Sequence, residues 1–289
     1  EILTAAALDF FQREAVDVAI LEVGLGGRCD ATSAVSAEVC AITTIGLDHR
    51  DVLGSNIGSI AGEKAAIARP GIPLIVGNVP KEAMDVIGAA AQSAAAQVIR
   101  PKQIPVPPLL NMRGIEQIEN YRTAAEVGSI WLDLHSIGWK ENRSKFLGAM
   151  GEASWPGRWD RREIFGRRWI FDCTHNVHGL TVLRKNWQLL PRDERPSPTV
   201  VTCTLGEDRA RDLLPFLSSI AEKLVLVELD DRRALSGEHL RSLVPDESCC
   251  EICCLAEDKL GDELPRLAGD PILVVGSIVL VGKALSIVN

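Results

Sequence analysis

The chain has 289 residues, 46% of them hydrophobic but only 4% aromatic, and carries a formal net charge of −8. That length suits two domains with aliphatic, alanine-rich cores, and the acidic balance argues against nucleic acid or an anionic membrane surface as the main partner. No signal-peptide pattern and no apolar run of about 18 residues occurs, so no membrane segment is expected.

The chain opens on a helical pattern, EILTAAALDFFQ, without an initiator methionine. Strands are then expected at Val16–Val23, Val39–Ile45, Pro73–Gly77, Arg168–Asp172, Thr199–Leu205, Lys223–Leu229 and Pro271–Ser277. Most place apolar residues at successive positions, the mark of strands buried on both faces of a parallel sheet. Helices are expected over about Ile57–Ala68, Lys81–Gln97, Gln117–Trp131, Leu180–Leu189, Asp208–Lys223 and Ile278–Leu285. Such alternation predicts an α/β fold with crossover connections. The proline-rich RPKQIPVPPLL (Arg100–Leu110) reads as a loop or edge segment. The polar, glycine-containing stretch between residues 140 and 157 lacks sustained periodicity and marks a domain boundary near residue 150. The expected domains are therefore 1–150 and 151–289, the second a compact Rossmann-like unit.

Eight cysteines show no disulfide-framework spacing. Cys250-x-x-Cys253, within CCEICC, offers a metal or redox pair, but no second Cys/His pair has zinc-ligand spacing and the run also reads as a buried strand. Reduced thiols suit a cytoplasmic protein.

Chemistry concentrates in LEVGLGGRCDAT. It lacks the Lys-Ser/Thr that completes a phosphate-binding P-loop, and Gly24-Leu25-Gly26-Gly27-Arg28-Cys29 lacks the third glycine of a dinucleotide fingerprint. Glu22 ends an apolar run in which a lone carboxylate is costly. At the carboxyl end of a parallel strand such an acid points into a ligand crevice and is a candidate Mg²⁺ ligand. Pairing with Arg28 is the structural alternative. His49 follows the next apolar strand, beside Asp48, and is expected at the same sheet edge. Lys64 lies on an Ala- and Ile-rich helix, where it is either functional or a solvated neighbour of Glu63.

With ITTIGLDHRDVLG, IAGEKAAIARPGIPLIVG, GIEQIENYRTA, WPGRWDRRE, FDCTHNVHG, DDRRALSGEHL and VVGSIVLVGKAL following in order, the chain resembles the folylpolyglutamate synthase/dihydrofolate synthase branch of the Mur ligase superfamily over nearly its whole length. The resemblance implies an incomplete P-loop-NTPase-like Mur ligase central domain followed by the Rossmann-like domain. It also implies an ATP-dependent ligase that joins L-glutamate to dihydropteroate or a folate through an acyl phosphate. By the same resemblance Glu22 and His49 would hold Mg²⁺, and Lys64 would be the carbamoylated lysine. Asn120, Arg158 and Asp172 would contact ATP, and His175, with Asn176, would face the reacting groups. Cys29 would touch the pterin, and Ser277 would serve the glutamate site. Small-molecule substrates and a monomer are implied. The family's glycine-rich P-loop is expected upstream of the first residue, so the chain reads as a fragment in which ATP positioning fails and sheet edge and core are exposed. A related Mur-type amino-acid ligase and a non-catalytic remnant are the alternatives.

Overall fold

The computed structural model describes residues 1–106, 111–191 and 197–288. It comprises two compact units, the first formed by Glu1–Val106 with Ile118–Gly148, the second by Pro107–Gln117 with Ala149–Asn289. Part of the proline-rich expectation, residues 107–110, lies outside the described residues.

The first unit holds helix α1 (Ile2–Arg13), strand β1 (Cys40–Ile42), helices α2 (Arg50–Leu53) and α3 (Ile57–Ala65), strand β2 (Pro73–Val76), helix α4 (Lys81–Ser93) and strand β3 (Gln97–Ile99). The strands form a parallel sheet in the order β1-β2-β3. Asn56 starts α3 by accepting the Ser59 N–H at 2.8 Å, a side-chain cap for an orphan amide. Ile60, Ala61 and Ala65 of α3 and Ala83, Ile87 and Ala91 of α4 pack with Leu74 and Val76 of β2 in one core. The i, i+4, i+8 spacing in α4 produces that apolar stripe.

Two expectations are corrected in this unit. Val16–Val23 is not a strand: it makes no ladder with β1–β3, and Ile20 is 87% exposed. An apolar run suits burial, but a strand exists only through the hydrogen bonds of a neighbour, and no described strand lies alongside. The aperiodic stretch after residue 139 is largely helical. Helix α5 (Ile115–Leu134) is followed by α6 (Trp139–Glu152), which starts where Asp133 accepts the Trp139 N–H at 3.1 Å and Asn142 donates to the Ile137 and Gly138 carbonyls. The Phe146 ring of α6 fills the space that a β-carbon at Gly128 of α5 would need. Tertiary packing overrides the weak local pattern here.

The second unit contains strands β4 (Asp160–Ile164) and β5 (Arg167–Asp172), helix α7 (Val177–Leu189), strand β6 (Thr199–Thr202), helix α8 (Glu207–Ile220), strand β7 (Lys223–Glu228), helix α9 (Gly237–Ser242), strand β8 (Glu251–Ala256), helix α10 (Leu260–Glu263), strand β9 (Ile272–Val275) and helix α11 (Ile278–Val288). The sheet order is β4-β5-β9-β6-β7-β8. All pairs are parallel except β4–β5. Leu180, Leu183 and Trp187 of α7, Leu213 and Leu217 of α8 and Leu240 of α9 cover one face. Leu260, Leu280, Val281 and Ala284 of α10 and α11 cover the other. Strands buried between two helical layers explain why their apolar residues run without alternation. Among the described residues no helix is long and apolar enough to cross a membrane.

Candidate active site

In the first unit the glycine-rich loop is built around Asp30. Its carboxylate accepts the N–H groups of Gly24 and Leu25 at 3.0 and 3.1 Å, and the N–H and hydroxyl of Thr32 at 3.0 and 2.6 Å. Those donors, the Thr32 hydroxyl foremost, hold its pKa at about 2. The loop is seated on α3: the Arg28 N–H donates to the Glu63 carbonyl at 3.2 Å, and Arg28 Nε to Glu63 Oε1 at 2.9 Å. A β-carbon at Gly27 would lie 2.9 Å from the Glu63 oxygen and 3.1 Å from that of Lys64. Glycine is required there for close approach of two backbones. Arg28 thus pairs with Glu63 rather than Glu22, and this contact places the loop beside the turn of α3 that carries Lys64.

Glu22 lies on the unpaired Val16–Val23 segment, exposed, and is not the end of a buried strand. It makes no hydrogen bond or ion pair among the described residues. His49 is exposed at φ 48°, ψ 42°, heading α2, with its N–H on Asp48 Oδ1 at 2.9 Å. It lies beyond the end of β1 rather than directly on it. Lys64 is half-buried in the last turn of α3. Cys29 is exposed in the loop, and Asn120 is exposed on α5. Among the described residues no three His, Cys, Asp or Glu side chains form a metal-binding group.

The second unit brings its candidates together. β9 lies between β5 and β6, with Asp172 and Thr202 both level with Val275. The chain leaves β5 and β6 toward the α7/α8 layer but leaves β9 toward the α11 layer. Adjacent strands that exit to opposite faces open a crevice at their carboxyl ends, the usual ligand position in such sheets. Asp172 stands there, accepting the Trp159 N–H at 2.9 Å and the N–H and hydroxyl of Thr174 at 2.9 and 2.6 Å. Burial pushes its carboxyl up, against the pull of these donors and of the Arg158 charge. His175 Nδ1 lies 2.8 Å from the Cys173 carbonyl, which places the proton on Nδ1. Asn176 caps α7 through the Gly179 N–H at 2.7 Å. Ser277, buried, heads α11 and takes the Val279 N–H at 3.1 Å. Gly157 (φ 75°) packs the loop that carries Arg158 against Cys173. Burial raises Cys173 to about 11 and Cys203 to about 12, so these thiols are inert near neutrality. Cys250 packs with one helical layer of the sheet and Cys253 with the other. The run enters a strand only from Glu251, and that strand lies at the sheet edge with Cys249 and Cys254 exposed, so the expected buried strand is corrected to a half-exposed edge strand.

Sequence reasoning missed two polar residues of this unit. Glu116, in the first turn of α5, has its carboxyl raised by burial, with Lys185 drawing it down and Asp172 adding to the rise. Asn186 of α7, 5% exposed, accepts the Ile115 N–H at 3.0 Å. An isolated amide on an amphipathic helix carries no signal that it is buried.

No family model matches the chain. A curated dihydrofolate synthase/folylpolyglutamate synthase of Escherichia coli is 28% identical over 312 aligned residues, covering 99% of this chain and 68% of that protein. A folylpolyglutamate synthase of Arabidopsis thaliana is 38% identical over 170 residues, 54% of this chain and 29% of that protein. The chain thus spans under a third of the Arabidopsis relative. Among solved structures, E. coli FolC in complex with DHPP and ADP aligns with TM-score 0.79 and 27% identity, covering 98% of this chain and 69% of that one. The bifunctional folylpolyglutamate synthase/dihydrofolate synthase of Yersinia pestis, complexed with AMPPNP and Mn ion, aligns with TM-score 0.77 and 27% identity, covering 98% and 69%. Motif order, fold and similarity along nearly its whole length show this chain to be strongly homologous to the folylpolyglutamate synthase/dihydrofolate synthases.

Proposed function

We propose that this chain forms the greater part of an ATP-dependent ligase that adds L-glutamate to dihydropteroate or a reduced folate in the cytoplasm. The observation that carries the reading is the crevice of the second unit, where Asp172, Thr174, His175 and Asn176 leave β5 as one braced turn beside Ser277. In the reaction, a substrate carboxylate attacks the γ-phosphorus of ATP, the bond to ADP breaks, and an acyl phosphate forms. The glutamate amine then attacks the acyl carbon, loses a proton, and phosphate leaves.

Asp172 is prearranged for nucleotide hydroxyls, since backbone donors hold its carboxylate still. Arg158 brings positive charge for phosphate oxygens. Asn120 would contact the nucleotide from α5. With its Nδ1 proton donated to the Cys173 carbonyl, the His175 ring is held in one orientation at the strand end, where it would face the reacting groups. Ser277 and Cys29 would contact glutamate and pterin. Mg²⁺ keeps several waters and takes one or two carboxylates besides phosphate oxygens, so the uncommitted carboxylate of Glu22 with His49 fits it without a three-residue cluster. When bound, the ion neutralises phosphate charge. Lys64, half-buried on α3, would take CO₂ on its amine and become an anion.

The test is ATP-dependent incorporation of labelled glutamate into dihydropteroate and tetrahydrofolate, with a UDP-muramyl acceptor as control. It is run on this chain and on one extended upstream to include a P-loop strand. Incorporation into a pterin acceptor, lost in Asp172→Ala and His175→Ala, is expected from the extended chain. Incorporation only into the muramyl acceptor, or none, overturns the reading.

A further inference from the structure

We propose that Asn186 is a positioning residue for the nucleotide site: from α7 it caps the first turn of α5, the helix that carries Asn120. The inference rests on the assignment of Asn120 to nucleotide.

The first N–H groups of a helix have no backbone partner within it. In α5 the Glu116 carboxylate serves its own N–H, while the residue ahead of Ile115 is Gly114 at φ 108°, which has no side chain to cap the Ile115 N–H. Asn186 supplies the missing acceptor from another helix, 3.0 Å from the Ile115 nitrogen. Its Nδ2 faces Gly114, where a β-carbon would approach it to 2.9 Å, so the glycine and the amide fit each other. The approach to α5 is held separately, by Asn111 N–H on the Gly151 carbonyl at 3.1 Å and Asn111 Nδ2 on the Glu152 carbonyl at 2.7 Å.

The cost of this arrangement points to its use. The other buried residues that α7 contributes to the sheet are Leu180, Leu183 and Trp187. An amide among them is unfavourable unless it is satisfied, and a leucine would serve packing alone. The amide instead fixes where α5 begins. A frayed first turn would release the backbone just ahead of Gln117 and Asn120, since helix ends open one turn at a time.

The test compares Asn186→Leu, Asn186→Asp and Gly114→Ala. Aspartate keeps the acceptor and meets the positive end of the helix dipole; leucine keeps the volume only; Gly114→Ala pushes the amide away if the leucine variant does not fold. Amide hydrogen exchange at Ile115–Gln117 and the ATP KM and kcat of the upstream-extended chain are measured. The expected result is exchange about tenfold faster and an ATP KM raised about fivefold to tenfold in Asn186→Leu or Gly114→Ala, with kcat little changed, the range a lost helix cap supports. Asn186→Asp should restore both. Faster exchange with unchanged KM makes the residue merely structural and overturns the proposal. Asn120→Ala is the separate control. A raised KM there beside a normal Asn186→Leu KM sinks only this inference, whereas a normal KM in Asn120→Ala, or no ATP-dependent ligation by the parent, sinks the nucleotide reading and this inference with it.

Discussion

Two carboxylates of one loop region show how residue type and role separate. Glu22 stands out in the sequence because it ends an apolar run, yet it is exposed and makes no hydrogen bond or ion pair among the described residues. Asp30 reads as the end of a glycine-rich motif and proves to be its organiser, accepting from both sides of the turn. Because the folded value of about 2 lies below the ordinary 3.8, Asp30 contributes stability above the ordinary carboxylate range, and the contribution is lost as pH falls through about 2. Asp30→Ala should cost about 1 kcal/mol at neutral pH, as expected for a lost cap, with the difference from the parent narrowing as the pH approaches about 3. Urea unfolding at both pH values checks this; a gap that does not change with pH would show that the carboxylate charge is irrelevant. Asp172, His175 and Ser277 were singled out by the resemblance of their motifs to those of a known family, and the structure places all three at the carboxyl ends of β5 and β9. Asn186 was not, because its partner is distant in sequence.

At the level of elements, glycines with positive φ separate conformational need from packing need. A β-carbon at Gly206, φ 113° ahead of α8, would meet nothing within 4 Å, whereas at Gly276, φ 110°, it would run into the Cys203 carbonyl and lie 2.5 Å from Thr202 Oγ1. Gly206→Ala should therefore cost about 1 kcal/mol through backbone strain alone. Gly276→Ala adds a steric clash at the junction of β9 and β6 and should cost about 3 kcal/mol or more. Equal shifts in denaturation midpoint would contradict the account. The buried parallel strands were legible because their aliphatic runs are continuous. β4 was not, since Asp160-Arg161-Arg162-Glu163 reads as a charged surface run. It is a strand because it hydrogen-bonds to β5 at the sheet edge, where charged side chains are tolerated and guard against further pairing.

For the whole molecule, the helix least integrated among the described residues is the first. No residue of α1 is buried, and Ile2 and Leu3 are 86% and 85% exposed. Removing residues 1–15 should leave the thermal midpoint of this chain within about 2 °C, because little apolar area is lost from a core. A fall of more than about 5 °C would mean that α1 packs in solution. The exposed Val16–Val23 segment that follows, with Val16, Val18 and Ile20 open to solvent, should dominate self-association, as exposed apolar patches do. The sequence by itself determined the α/β class, the two-sided burial of the central strands and the family likeness, since each depends on local succession and short motifs. Only the tertiary structure decided that β9 enters between β5 and β6, that Val16–Val23 goes unpaired, and that Arg28 binds Glu63. Those are choices among distant partners, made by hydrogen bonds and packing that no local pattern specifies.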